Sequence, residues 1–597
     1  MCKLVICEKP SVALTISKVL GASRRSNGYL EGNGYVVSWC IGHLVELAQP
    51  ECYEKRYAKW RREDLPIIPR FWKYQISAGT KKQFSILKQL MLRPDIGSLI
   101  CATDAGREGE LIFRLVYHQC GCKKPFERLW ISSMEDDAIR NGFSNLKPGT
   151  EYDALYEAAL CRERADWIVG INATRFFSCL YGTTLNVGRV MTPTLGMVVL
   201  RETAISAFIP EPFYVVQLEA DGFLVSSERF KEKNNAQNVR DACRKARKGT
   251  VSKAESHEKS EKPPALYDLT SLQRNANRLF GFTAQQTLDY AQSLYEKKLI
   301  TYPRTDSRYL TEDMAATLPG LIRDTAQALG TEFISSIYIK SVINNQKVSD
   351  HHALIPTTTM ARMNLSALPA GEQSVLRMIA ARMLAAVGKP YRYAETTVEI
   401  NCADTVFTAK GKVVLDEGWK AIERQFLPNT EKAERKLPAI SEGSTFFFDT
   451  ADLKEGRTSP PKHFTEDLLL QAMENAGSET FPANAERKGI GTPATRAAII
   501  EKLVKKGYLE RKGNGKVKTL MPTQKGNALI AIVPESLRSS AMTADWEEKL
   551  SKIEAGKYKS KNFMDEIADM MTELVNTYKA IDPGKNTQGG SNVSKRS

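Results

Sequence analysis

The spacing of apolar residues changes several times along the chain. Residues 3–7 (KLVIC) form an unbroken apolar run after one lysine, as a strand buried on both faces requires. Glu8-Lys9-Pro10-Ser11 and an amphipathic stretch at 12–20 follow. Residues 98–103 (SLICAT) repeat the pattern, leading into Asp104 and a helical stretch at 111–118. Such strand–loop–helix units predict a parallel α/β sheet over residues 1–150. Residues 151–205 read as helical and Arg-rich, and 213–218 and 222–226 alternate as strands do. A polar, basic interval at 231–262 ends in Pro263-Pro264. Helical spacing returns over 265–394, clearest at 269–279 and 283–295. Alternation reappears at 396–414 and 444–450, and helices resume from 465.

The order α/β, α, β, α, β, α predicts units built from separated segments. The expected division is 1–150; 151–208 with 460–582; 209–262 with 395–459; and 263–394. A polar Gly/Ser-rich tail at 583–597 is expected to be disordered. A chain of 597 residues is too long for one core and accommodates about three to five domains. No apolar run reaches the roughly 18 residues of a membrane span, and Met1 runs directly into a strand, so a soluble cytoplasmic protein without membrane contact is expected.

Charge adds a direction. Lys and Arg number 84 against 69 Asp and Glu, a formal net charge of +15, which favours a polyanionic partner. The 11 cysteines contain no C-x-x-C pair, which disfavours a zinc ribbon and suits a reducing compartment. No Gly-x4-Gly-Lys-Ser/Thr loop is present, so ATP-driven work is disfavoured.

Two groups of residues carry candidate chemistry. Glu8 and Asp104 each end a predicted strand of one sheet, where ligands of parallel α/β folds bind, and Glu108 and Glu110 open the following helix. Carboxylates on one rim call for a cation, and Mg²⁺ is the natural one. In ITYPRTDS (300–307), Arg304 stands two residues after Tyr302, and its permanent charge suits a phosphate beside a phenol nucleophile.

EKPS (8–11) and CATDAGREGELI (101–112) resemble the Toprim fold, with Gly106 where the usual pattern has its middle acid. LYEKKLITYPRTDS (294–307) resembles the catalytic segment of type IA DNA topoisomerases. NVGRVMTPTLG (186–196), SDHHALIPT (349–357) and GIGTPATRA (489–497) are similar to that family's segments in the same order, and the bacterial topoisomerase III branch is the nearest. The resemblance covers residues 1 to about 580. It implies a multidomain α/β and α+β toroid: an N-terminal Toprim domain, a helical DNA-binding domain with a winged-helix-like part, a β-rich hinge, and a helical cleavage domain carrying Tyr302. It implies an ATP-independent, Mg²⁺-dependent enzyme that cuts one DNA strand through a 5′-phosphotyrosine, passes a strand or duplex and reseals.

By the same resemblance Tyr302 is the nucleophile, Arg304 holds the phosphate, Lys9 stabilises its charge and His351 assists. Glu8, Asp104 and Glu108 are the expected metal ligands, with Glu8 also catalytic. Trp60, Arg164, the run Asn186, Val187, Gly188, Arg189, Val190, Met191 and Thr192, together with Arg304, Thr492 and Thr495, are expected at DNA. Trp60 suits either base stacking or packing. The seven basic and two acidic residues of 501–518 suit either a winged-helix DNA surface or a solvated charged face. A monomer at the bacterial nucleoid follows, preferring single-stranded DNA, with a helicase or single-strand-binding protein as partner. The alternative is a catalytically impaired single-stranded-DNA clamp, suggested by Gly106. A tyrosine recombinase is disfavoured because no His-x-x-Arg box precedes the tyrosine, and a relaxase because no His-hydrophobe-His triad is present.

Overall fold

A computed structural model describes residues 1–131, 134, 136–220, 223–331, 338–348, 351–360, 363–428, 437, 440–476 and 489–581. The expected tail at 583–597 and the Ser349-Asp350 pair lie outside the described residues.

The N-terminal sheet has seven strands in the order Arg24–Ser26, Tyr29–Gly32, Tyr35–Trp39, Cys2–Cys7, Ile96–Ala102, Phe126–Arg128, Lys147–Pro148. Its four central strands are parallel, as the apolar runs predict, and its margins are antiparallel. The antiparallel side arises from two turns at Asn27-Gly28 and Asn33-Gly34. At the second, Asn33 and Gly34 both take positive φ (48° and 77°), the geometry a two-residue hairpin needs. Cys2–Cys7 lies between Tyr35–Trp39 and Ile96–Ala102. The helix Pro10–Leu20 that follows Cys2–Cys7 packs in one core and the helix Arg107–Gln119 that follows Ile96–Ala102 in another, so the connections part between these two strands and open a crevice at their carboxyl ends.

A second sheet of seven antiparallel strands interleaves two parts of the chain: Thr445–Phe447, Lys248–Glu261, Tyr391–Cys402, Thr405–Asp416, Phe223–Ser227, Pro212–Ala220, Thr450–Arg457. The interval read as polar and basic holds a helix, Lys233–Ala246, and the long strand Lys248–Glu261. The helix buries only Ala236 and Cys243, and the second half of the strand is largely exposed, so almost no apolar periodicity marks either. Backbone pairing with Tyr391–Cys402 holds the strand.

The 29-residue helix Asp153–Tyr181, the helix Met191–Ser206 and the late helices Ser540–Glu554 and Ser560–Thr577 share one core, in which Phe176, Phe177, Leu195, Trp546 and Phe563 are buried. Between helix Pro493–Lys505 and helix Gln524–Ile532 the strands Leu509–Lys512 and Thr519–Pro522 form an antiparallel hairpin. A separate core joins helices Leu269–Phe280, Ala284–Glu296 and Ala370–Ala386, with Tyr302 among its members. The first two of these helices open on capping boxes at Asp268 and Thr283, which satisfy backbone donors at their starts. Among the described residues no helix is long and apolar enough to cross a membrane.

Candidate active site

Glu8 immediately follows its strand, and Asp104 stands two residues beyond the neighbouring one. The Asp104 backbone N–H donates to Glu8 Oε2 at 3.4 Å, so the two acids do converge. The turn carrying Asp104 is tightly built. Thr103 Oγ1 donates to the Gly109 carbonyl at 2.8 Å. A Cβ at Gly109 would lie 2.0 Å from the Asp104 carbonyl oxygen and about 3 Å from the Asp104 backbone carbon and nitrogen. Alanine for glycine in a helix usually stabilises by about 1 kcal/mol. Gly109→Ala is expected to do the reverse, displacing Asp104 and abolishing DNA cleavage, which cleavage assays beside thermal denaturation would check.

The tyrosine segment is stitched to the histidine segment. The Thr301 N–H donates to the Ile355 carbonyl at 3.0 Å, Thr301 Oγ1 to the Ala353 carbonyl at 3.1 Å, and Thr305 Oγ1 to the His351 carbonyl at 3.0 Å. Tyr302, only 7% exposed, donates its phenol to Asp104 Oδ2 at 2.6 Å. Its ring lies 4.2 Å from the His351 ring, centroid to centroid, and meets Tyr295 edge-on at 5.5 Å. Burial, then the Asp104 charge, raise the Tyr302 phenol well above its usual range, and Arg304 opposes them. The phenol is therefore held as a proton donor until cationic charge or a phosphate changes its surroundings.

His351 donates through Nε2 to the Ala105 carbonyl at 2.8 Å, while its buried Nδ1 has no hydrogen-bond partner among the described residues. Burial depresses its pKa to about 4, so the imidazole is neutral at physiological pH. Between pH 6.5 and 4 an unfolded chain takes up a proton that the folded one refuses, so His351 makes stability fall as pH drops through that window. Glu8 acts oppositely: its raised pKa makes the folded state the better proton binder between 4.5 and about 7. His351→Leu is expected to flatten the acid-side loss of stability, by up to about 3 kcal/mol, in urea denaturation measured across pH 4–7.

Burial, then Asp104, push Glu8 up to about 7, against the pull of Lys9 and Arg304. Burial followed by Arg304 lowers Lys9. Burial also tends to lower Arg304, but Tyr302, Asp104 and Glu8 outweigh it and raise the guanidinium. Two carboxylates thus face two cations around the phenol. This donor set fits Mg²⁺, which binds through one or two carboxylates and completes its shell with water and phosphate oxygens. Glu108, the third expected ligand, lines the same cleft and is engaged by a histidine. Its Oε1 is 2.5 Å from His43 Nε2, a bond that holds its carboxyl below the usual range. Among the described residues no group of three or more His, Cys, Asp or Glu is placed to hold a metal.

A cleft of about 1000 Å³ opens beside the phenol, lined by Glu8, Asp104, Tyr302, Arg304, Thr492 and Thr495 among others. Thr492 and Thr495 form a reciprocal capping box at the start of helix Pro493–Lys505. The run 186–192 is less open than expected. Val187, Met191 and Thr192 are buried, the first two because their apolar side chains join the large core. The Asn186 N–H donates to Tyr508 Oη at 2.7 Å, the Gly188 N–H donates to Thr192 Oγ1 at 3.0 Å, and Val190 is half-buried. Arg189, 3% exposed, is held by Asp166 Oδ1 at 2.7 Å and Glu547 Oε1 at 3.2 Å. In this closed arrangement its guanidinium faces carboxylates rather than an open groove. Arg164 lies half-buried over Trp72, whereas Trp60 is 44% exposed with Arg175 against its ring.

Sequence reasoning missed His43, Arg107 and Glu547. Arg107 reaches Glu554 Oε2 at 3.0 Å and Glu547 Oε2 at 3.3 Å, joining the N-terminal sheet unit to helix Ser540–Glu554 across the cleft. Burial raises the Glu547 carboxyl, but Arg162, Arg189 and Arg107 outweigh it and hold the acid down at about 2. The partners lie hundreds of residues apart, and no local signal marks them.

Comparison with known proteins shows the family. A family model described as DNA topoisomerase matches residues 150–565, and one described as Toprim domain matches residues 3–134. DNA topoisomerase 3 of Bacillus subtilis (strain 168) is 41% identical, covering 99% of this chain and 83% of its own. DNA topoisomerase 3 of Staphylococcus aureus (strain MRSA252) is 42% identical, covering 98% and 83%. The structure of full-length topoisomerase I from Thermotoga maritima superposes with a TM-score of 0.74 at 23% identity, over 97% of this chain and 91% of that one, which shows a shared fold. The chain belongs to the type IA DNA topoisomerase family, in its bacterial topoisomerase 3 branch.

Proposed function

We propose that the protein relaxes negatively supercoiled DNA and decatenates it without ATP, cutting one strand at a time through Tyr302. The observation that carries this reading is the phenol of Tyr302 seated on Asp104 Oδ2, at the edge of a cleft that Arg304 also lines.

A single strand enters the cleft with its scissile phosphate against Arg304 and Lys9, which stabilise the charge that develops on phosphorus-bound oxygen. The Tyr302 oxygen attacks phosphorus as its proton passes to Asp104. The bond from phosphorus to the 3′-oxygen breaks, leaving a 5′-phosphotyrosine and a free 3′ end. Glu8, which titrates near neutrality, gives the 3′-oxygen its proton. Resealing runs these steps backwards, so the phosphodiester energy is conserved and no ATP is needed. His351, neutral and packed on the Tyr302 ring, fixes the angle of the phenol. When bound, Mg²⁺ would be held by Glu8 and Asp104 and would supply positive charge to the phosphate during resealing. Because Glu108 is engaged by His43, it is assigned a supporting role.

Arg189, Arg107 and Thr492 with Thr495 contact the strand's backbone once the cleft opens, and Trp60 stacks on a base. The protein acts as a monomer on single-stranded segments at the nucleoid, supplied by a helicase or protected by a single-strand-binding protein. Incubation with negatively supercoiled plasmid, Mg²⁺ and no ATP tests the function: a ladder of relaxed topoisomers is expected, and an unchanged plasmid over a wide enzyme range would contradict it.

A further inference from the structure

Arg128 was not among the expected functional residues, and it does not itself line the cleft. We propose that it is a positioning residue for cleavage, acting through the backbone that carries Asp104. The inference rests on the topoisomerase reading and extends it.

Arg128 ends the strand Phe126–Arg128, in register beside Cys101 of the neighbouring strand, and is 0% exposed. Its Nη1 reaches the carbonyls of Thr103 and Leu129, both at 2.8 Å, and that of Cys101 at 3.2 Å. Its Nη2 donates to the carbonyl of Asp104 at 2.7 Å. Its Nε lies 3.0 Å from Glu110 Oε2, and Glu110 is buried as fully. One guanidinium therefore gathers the carbonyls of residues 101, 103 and 104 just where the chain leaves the strand. That turn ends in the carboxylate that receives the Tyr302 phenol at 2.6 Å.

Stability alone does not account for this arrangement. A buried ion pair is often no more stabilising than apolar side chains of the same volume. What an arginine adds is a flat, rigid fork of donors that fixes several acceptors at once, which the single ammonium of lysine does not reproduce. Reacting groups displaced by about 1 Å lose about 10²-fold in rate, so a turn held to a few tenths of an ångström matters.

Arg114 provides an internal control. It pairs with the same acid, Nε to Glu110 Oε1 at 2.8 Å, but its other donors go to the Gly149 carbonyl at 2.7 Å and to Asp153 Oδ1 at 2.8 Å. It supports the same buried pair without touching the Asp104 turn.

The test compares wild type, Arg128→Lys and Arg114→Lys. Single-turnover cleavage of a single-stranded oligonucleotide is measured at saturating protein, with affinity for the oligonucleotide and thermal midpoint measured alongside. Arg128→Lys is expected to bind DNA as wild type does and to cleave about 10²-fold more slowly. Arg114→Lys is expected to lose comparable thermal stability and to cleave at the wild-type rate. Should Arg128→Lys not fold, Arg128→Met with Glu110→Gln, which removes both charges of the pair together, carries the same expectation. Wild-type cleavage rates in whichever Arg128 variant folds would overturn the proposal. An equal slowing in Arg114→Lys would also overturn it, by reducing both arginines to supports of the fold. A wild-type protein that does not cleave would overturn the topoisomerase reading itself, and the proposal with it.

Discussion

Tyr302→Phe is expected to remain folded, to bind single-stranded DNA, and to lose cleavage and plasmid relaxation by on the order of 10⁵-fold or more, the scale on which removing a nucleophile acts. The substitution keeps what packs the ring: the contact with His351 at 4.2 Å and the edge-on contact with Tyr295 at 5.5 Å. It removes the hydroxyl and its 2.6 Å bond to Asp104. That loss costs about 1–3 kcal/mol at most, since Asp104 lines the cleft and water can replace the donor. The protein should therefore behave as an intact binder that cannot cut. Affinity is measured by fluorescence anisotropy on a short oligonucleotide and relaxation by gel. A variant that binds poorly would point to damage, and one that still relaxes plasmid would remove Tyr302 from the chemistry.

Arg304→Ala carries the second largest expected effect, a loss of about 10²–10³-fold in the cleavage rate at saturating DNA, as for other groups that stabilise charge only in the transition state. Arg304 is the cation that most strongly opposes the upward shift of the Tyr302 phenol, and it also pulls Glu8 down. Without it, burial and Asp104 act on both groups with less opposition. The phenol becomes harder to deprotonate, and Glu8 stays protonated to higher pH, so the rate profile should move toward alkaline pH as well as fall. Arg304→Lys is expected to restore the charge but not the two-point grip on a phosphate, recovering only part of the rate. Single-turnover cleavage between pH 6 and 9 reads both effects, and a fall in rate with an unmoved profile would separate phosphate binding from control of the phenol.

Much of this site is legible in the sequence because its parts sit at the ends of strongly patterned elements. The apolar runs at 3–7 and 98–103 place Glu8 and Asp104 at neighbouring strand ends, and the structure brings them into contact. The hairpins at 24–39 carried a readable signal in Asn27-Gly28 and Asn33-Gly34, but polar arginines and a short apolar stretch hid the strands around them. The helix and strand of 233–261 had no such signal, because the helix buries only Ala236 and Cys243 and pairing with a distant strand rather than burial holds the strand.

The electrostatic partners were illegible for a different reason. Nothing near Glu108 announces His43, 65 residues earlier. Arg189 reads as a free cation in its own segment, yet its carboxylates lie 23 and 358 residues away. Arg128 sits in a three-residue strand, Phe-Glu-Arg, whose two charges argue against burial, and only the fold reveals Glu110 and four carbonyls around it. Motifs identify the reacting groups, whereas the groups that hold them in place emerge from contacts made in three dimensions.

The most direct measurement is to locate the covalent bond. A single-stranded oligonucleotide labelled at its 3′ end is mixed with the protein, the reaction is stopped with denaturant, and the protein is digested and its labelled peptides sequenced by mass spectrometry. The label is expected on Tyr302 alone, and a 5′-labelled oligonucleotide should transfer none. Label on another residue, or transfer from the 5′-labelled strand, would contradict the assignment of Tyr302 as the nucleophile that forms a 5′-phosphotyrosine.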